Sequence, residues 1–167
     1  YTMEGRFGDA KQAADDLTAF YVSSFNKMED LEYYASAPLT VLISFHRWKD
    51  ILQMEPPSQD MKVTTALWRY GRSLAFSNLG ELSKALEEQR LFFESRKNIK
   101  EDFAFGYNRA SQILDIANDS LTAKLAEKQG KMNEAIASLK HAIDIQARLR
   151  YNEPPDWFYP TRIALGA

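Results

Sequence analysis

The chain contains no cysteine. Disulfides, thiolate nucleophiles and cysteine-built zinc sites are therefore excluded, while a reducing and an oxidising compartment fit equally well. Glycine and proline are sparse, 7 and 6 of 167 residues, so long stretches run without a helix breaker. No run approaches the roughly 18 apolar residues of a membrane span, and the N-terminus lacks the basic-then-apolar pattern of a secretory leader. The sequence begins abruptly at Tyr1, so a targeting segment can precede it and the compartment stays open. An excess of one charge is also missing, since 21 basic against 23 acidic side chains leave −2. That balance argues against a protein held on nucleic acid by a basic face, though it is compatible with a small local patch.

What is present is an internal repeat. Gly130-Lys131-Met132-Asn133-Glu134-Ala135 is followed by Ile136, Leu139, Ala142 and Ile143. Gly80-Glu81-Leu82-Ser83-Lys84-Ala85 is followed by Leu86 and Phe92, and Gly8-Asp9-Ala10-Lys11-Gln12-Ala13 by Leu17, Phe20 and Tyr21. In each copy a glycine precedes by five residues an alanine that starts an apolar stripe at helical spacing. The glycine suits a left-handed turn between antiparallel helices, and the alanine lets them approach closely. A degenerate copy has His46 in the glycine slot and Ile51 in the alanine slot. Turns at 8, 46, 80 and 130 are spaced 38, 34 and 50 residues apart, near the period of about 34 of a helical-hairpin repeat. The long last interval places an excess of about 16 residues beyond that unit between Arg96 and Asn118.

The whole chain reads as α, because no sustained apolar/polar alternation is flanked by turn pairs. Helices are expected over 9–25, 29–45 (broken near Pro38), 47–54, 60–79, 82–97, 102–129 and 132–149, with another starting at 157. Asn152-Glu153-Pro154-Pro155 reads as a linker. Both ends look cut from a longer array, and an unpaired terminal helix would leave an apolar stripe available for self-association.

With these residues in hand, the chain resembles tetratricopeptide-repeat proteins over nearly its full length. More narrowly, it is similar to long, uncharacterised bacterial repeat proteins. The resemblance lies in the segments running from Ser44 to Leu52, from Leu67 to Ala75, and from Glu153 through Trp157 and Pro160 to Leu165-Gly166-Ala167. His46 in the turn, and Glu55 and Gln89 at slots that usually carry large apolar side chains, depart from the pattern. The resemblance implies one domain over 1–167, a right-handed α-α superhelix of antiparallel hairpins, protein binding, and no catalytic residue. It also implies groove-facing slots at Leu67, Tyr70, Leu74, Ser77 and Asn78, and at Ala117, Ser120, Lys124, Glu127 and Lys128. Asn78 with Lys124 and Lys128 loosely resembles an amide-plus-lysine clamp for a C-terminal carboxylate. The plainer alternative makes Lys124 and Lys128 a solvated i, i+4 pair near Glu127.

The aromatic residues Tyr33, Tyr34, Trp68, Tyr70, Phe103, Phe105 and Tyr107 are expected on first helices. They read as core, the usual fate of aromatics at helical spacing, or as a groove gripping a peptide. Trp68 with Arg72, one turn on, suits stacking between layers. The partner-binding residues singled out are thus Trp68, Tyr70, Arg72, Leu74, Ser77, Asn78, Lys124 and Lys128.

Catalytic signals are weak. His46 sits in a turn and His141 on a polar helix face, neither with a second ligand at metal spacing. The acidic stretch from Glu29 to Glu32 reads as a helix start, and Glu87-Glu88 as a solvated face. A phosphate-cradling glycine loop and a glycine-bracketed serine are both missing. The expected activity is a non-catalytic scaffold presenting a concave groove to a peptide or protein, without cofactor, metal, nucleic acid or membrane. The alternatives are a spacer that oligomerises through its terminal helices or the long helix 102–129, and a non-catalytic portion of an enzyme.

Overall fold

The computed structural model describes residues 1–22 and 32–166. A 3-10 turn (Thr2–Glu4) leads into α1 (Phe7–Val22), α2 (Glu32–Ala35), α3 (Ala37–Ser44), α4 (Trp48–Gln53), α5 (Lys62–Asn78) and α6 (Leu82–Lys97). A two-stranded antiparallel ribbon, β1 (Ala104–Phe105) and β2 (Asn108–Arg109), precedes α7 (Ala110–Lys128), α8 (Met132–Gln146) and α9 (Thr161–Gly166). The chain is mostly helical, as expected. Residues 23–25 of the first expected helix, and Glu29, Asp30 and Leu31, lie outside the described residues.

The repeat is written in the backbone. At His46, Gly80 and Gly130 φ is 54°, 83° and 74°. The following amide, of Arg47, Glu81 and Lys131, donates back to the carbonyl of Leu42, Phe76 and Ala126, each at 2.9 Å. The turn residue's own amide donates to Ile43, Ser77 and Glu127. These paired bonds satisfy the carbonyls a helix leaves open at its end, and they require a left-handed residue. Five residues past each turn, Ile51, Ala85 and Ala135 make the first bond of the next helix and are buried.

The first copy is in a different register from the one its sequence suggests. Gly8 lies inside α1, whereas Gly5 has φ of 72° and carries the same paired bonds through Arg6 and Gly5 to Tyr1 and Thr2. Its buried alanine is Ala10, and Ala13 is exposed. The neighbouring Gly8-Asp9-Ala10 mimics the motif closely enough to shift the reading by one helical turn, and the first interval becomes 41 residues.

The helices pair as hairpins, most extensively α5 with α6 and α7 with α8, and α7 also packs on α5. Ser73 Oγ donates to Ala85 O at 2.6 Å, which ties the backbones of α5 and α6 at the small-residue contact. The helix expected over 29–45 is interrupted at Ser36, with Pro38 in the first turn of α3, where its missing N–H costs nothing. Glu32 opens α2, but its carboxylate caps a different helix. Glu32 Oε1 accepts the Thr64 amide in the first turn of α5 at 2.7 Å, where the dipole favours negative charge.

The long helix expected over 102–129 is a second correction. It begins only at Ala110, because the excess residues of the last interval fold back as the β1–β2 ribbon. Phe103, Phe105 and Tyr107 therefore lie on or beside this ribbon and not on a first helix. The main core runs from Leu39 and Ile51 through α5 to Phe92, Ile113 and Leu121. It also takes in Phe105 from the ribbon and Trp157 from the segment after α8.

Candidate peptide-binding face

Residues 147–160, which follow α8, cross the face of α5 that the repeat pattern assigns to a groove. Trp157 packs against Tyr70, with centroids 5.8 Å apart, and Phe158 lies beside it. Leu39, Leu67, Phe105 and Ile113 complete the walls, and the gap left among them is only about 10 Å³. The face is therefore filled by the chain itself. Burial pushes the Tyr70 hydroxyl pKa well up.

This segment, a strap over 147–160, is pinned by Asp156. Its Oδ2 accepts the Tyr107 amide at 2.9 Å and Asn108 Nδ2 at 2.6 Å, and its Oδ1 accepts Asn152 Nδ2 at 2.6 Å. Asn108 also donates to Arg150 O and accepts the Arg150 amide, at 3.1 and 2.8 Å. Tyr33 Oη donates to Pro154 O at 3.0 Å. Burial, and secondarily the Asp156 charge, pushes the Tyr33 hydroxyl up to about 12. The ribbon geometry follows from its sequence: the two-residue loop 106–107 has Gly106 at φ 68° in its first position, which a hairpin turn demands of glycine.

The residues singled out from sequence are scattered by this arrangement. Tyr70, Leu74 and Ser77 are buried, and Ser77 Oγ has no partner among the described residues. Asn78 Nδ2 is used within its own helix, donating to Leu74 O at 2.8 Å. Lys124 pairs with Glu127 at 3.0 Å and Lys128 is exposed. The structure does not bring Asn78 into a clamp with these lysines by any hydrogen bond among the described residues. The solvated-pair reading suits Lys124 better.

Trp68 and Arg72 belong to a separate cluster. The Arg69 and Arg72 guanidiniums lie 4.5 and 4.8 Å from the Trp68 ring centre. Both also bond Glu88, at 3.0 and 2.7 Å. Trp68 and Glu88 are buried, so Glu88 is not part of a solvated face, whereas Glu87 is exposed and bonds Arg90. Glu88 is placed by the helical period one step from Glu87, onto the side facing α5.

His141 Nδ1 lies 2.7 Å from Asp119 Oδ2, joining α8 to α7, with the imidazole largely in solvent. Burial raises the Asp119 pKa against the opposing pull of His141. His46 stacks on Trp48 with centroids 5.3 Å apart. Among the described residues no cluster of three or more potential metal ligands occurs, and no helix is long and apolar enough to cross a membrane.

No family model, curated protein or solved structure matches this chain. The repeat reading therefore rests on the four turns and on the pairing of the helices. Sequence reasoning missed Gly106, Asn108, Asp156 and Trp157. The Phe-Ala-Phe-Gly run at 103–106 carried a short strand-turn signal, but two residues per strand are too few to show a period. Asn152, four residues earlier, was the one local donor to Asp156; the other two, from Tyr107 and Asn108, are brought to it by folding.

Proposed function

We propose that this chain is a non-catalytic interaction scaffold. Its tetratricopeptide-like hairpins stack as one right-handed superhelical domain whose concave, first-helix side receives an extended peptide or protein segment. One observation carries this reading: the α5 face already holds a segment that is neither helix nor strand, the chain's own Asp156-Trp157-Phe158, packed on Tyr70 and Leu67. A face that accommodates an aromatic strand of backbone has the shape and apolar chemistry for peptide recognition. Aromatic anchors supply most of the energy of such contacts, and a polar rim surrounds them.

Panning a random peptide library against the full chain tests the reading. Enriched peptides are expected to shift backbone amide resonances of α5, α7 and the strap. Shifts confined to α6 and the outer side of α8, or no enrichment by a folded chain, would overturn it.

A second reading, a spacer that self-associates, draws on exposed apolar side chains near both ends. Phe20 on α1 is 69% exposed and Ile163 on α9 is 56% exposed. Light scattering that gives a monomer mass at every concentration would remove it.

A further inference from the structure

We propose that the loop of the β1–β2 ribbon is a recognition site for a peptide carrying a carboxylate followed by two aromatic side chains. The chain's own Asp156-Trp157-Phe158 holds this site as a displaceable occupant. The inference rests on the scaffold reading and names the chemistry of its ligand.

The site is built for a carboxylate. Two of the three donors to Asp156, the Tyr107 amide and Asn108 Nδ2, belong to the ribbon. A Cβ at Gly106 would come within 2.2 Å of Asp156 Oδ1, so the loop closes directly on the carboxylate, and only glycine leaves it room. The Asn108 amide does a second job. By both donating to and accepting from the Arg150 backbone it imitates a neighbouring strand, a contact that any extended chain can satisfy. Specificity then comes from the carboxylate and from the indole, which fills the apolar space over Tyr70. The ribbon groups that hold the carboxylate, Gly106, the Tyr107 amide and Asn108, come from the extra residues between α6 and α7, outside the positions that the repeat resemblance assigns to ligand contact.

The occupant is displaceable for a structural reason. Residues 147–160 contain no helix or strand, and the α7–α8 pair holds together through contacts of its own. Lifting the strap therefore leaves the α7–α8 hairpin closed, at the cost of unseating Trp157 from the main core. Tethering gives the strap an effective concentration on the order of millimolar. A free peptide binds with an affinity reduced by the fraction of chains in which the site is open. Loosening the strap must then tighten binding of the free peptide, and this is the signature to seek.

The experiment uses a fluorescein-labelled peptide with the sequence of residues 150–160, titrated by anisotropy with the full chain. The proteins are wild type, Asp156→Asn, and Asn152→Ala, which removes a donor within the strap without touching the ribbon. Asp156→Asn is expected to bind the peptide about tenfold more tightly than wild type, corresponding to one weakened charge-assisted contact. Asn152→Ala is expected to fall between them. A peptide with asparagine at the position of Asp156 is expected to bind about tenfold more weakly.

Equal affinity of the two peptides overturns the carboxylate site while leaving a peptide-binding face. Binding of neither peptide to any folded variant overturns both. Should Asp156→Asn lose its helical circular dichroism, Asn152→Ala decides, and no gain in its affinity overturns the proposal. A wild-type dimer that the peptide dissociates identifies a second copy as the occupant and overturns a foreign partner.

Discussion

Tyr70 and Trp157 share a contact at 5.8 Å between ring centroids, with their planes tilted by 56°. One ring comes from the middle of α5 and the other from a segment that has neither helix nor strand. Trp157 is 3% exposed and belongs to the main core. The strap is thus part of the packed interior as well as its cover. Trp157→Ala is expected to cost about 3 kcal/mol or more, the range for a buried large aromatic. Urea titration measures it, and a loss near zero would show that the strap is not seated.

The register of the first repeat has its own test. Gly80→Ala and Gly130→Ala place a Cβ in open space but at positive φ, so their cost is conformational, about 1 kcal/mol each. Gly8 has ordinary helical φ and open space around it, so Gly8→Ala is expected to stabilise by about 0.5 to 1 kcal/mol. Thermal melts would show midpoints moving in opposite directions. A Gly8→Ala loss as large as that of Gly80→Ala would restore Gly8 as the turn residue.

Alkaline stability is expected to depend chiefly on the two most buried of the tyrosines with raised pKa values. Both Tyr33 and Tyr70 have hydroxyl pKa values raised above the ordinary 10.0, chiefly by burial. A group whose folded pKa is raised contributes stability that is fully present below its unfolded pKa and lost as pH rises through the folded one. Stability is therefore expected to hold to about pH 10, then fall through the window reaching about 12, where Tyr33 titrates. Tyr70→Phe should shallow that fall, as read from urea midpoints at stepped pH. An unchanged slope would place the titration elsewhere.

The Glu88 cluster separates a buried charge from its exposed neighbour. Glu88→Ala leaves Arg69 and Arg72 facing each other without their shared carboxylate. The two arginine side chains are 27% and 19% exposed, so solvent screens part of the penalty, leaving about 2 kcal/mol. Glu87→Ala should leave the midpoint unchanged. A double-mutant cycle of Glu88→Gln with Arg72→Met isolates the pair, and zero coupling energy would contradict the geometry.

Much of the helical plan was legible because its signals are local. The turn at His46 could be read without a glycine, since Ile51 and the apolar residues after it kept the spacing. The break near Pro38 followed from one missing amide. The error at Gly8 arose where two glycines stand three residues apart and each precedes an alanine by five, Gly5 before Ala10 and Gly8 before Ala13. The candidate face was less legible. Tyr70 and Leu74 fell on the side facing the other first helices, but the pattern could not say that the chain itself would cover them.

The sequence by itself determined the class of structure: helices, their turns and the small residues where they touch. Each of these depends on residues within a turn or two of one another, so backbone sterics and periodicity suffice. Tertiary structure alone decided where the strap lies, which carboxylate the ribbon clamps, and that Glu32 and Glu88 are buried with partners on α5. Those outcomes depend on groups far apart in the chain meeting in a dry interior, where a charge or amide must find a partner that no local spacing announces.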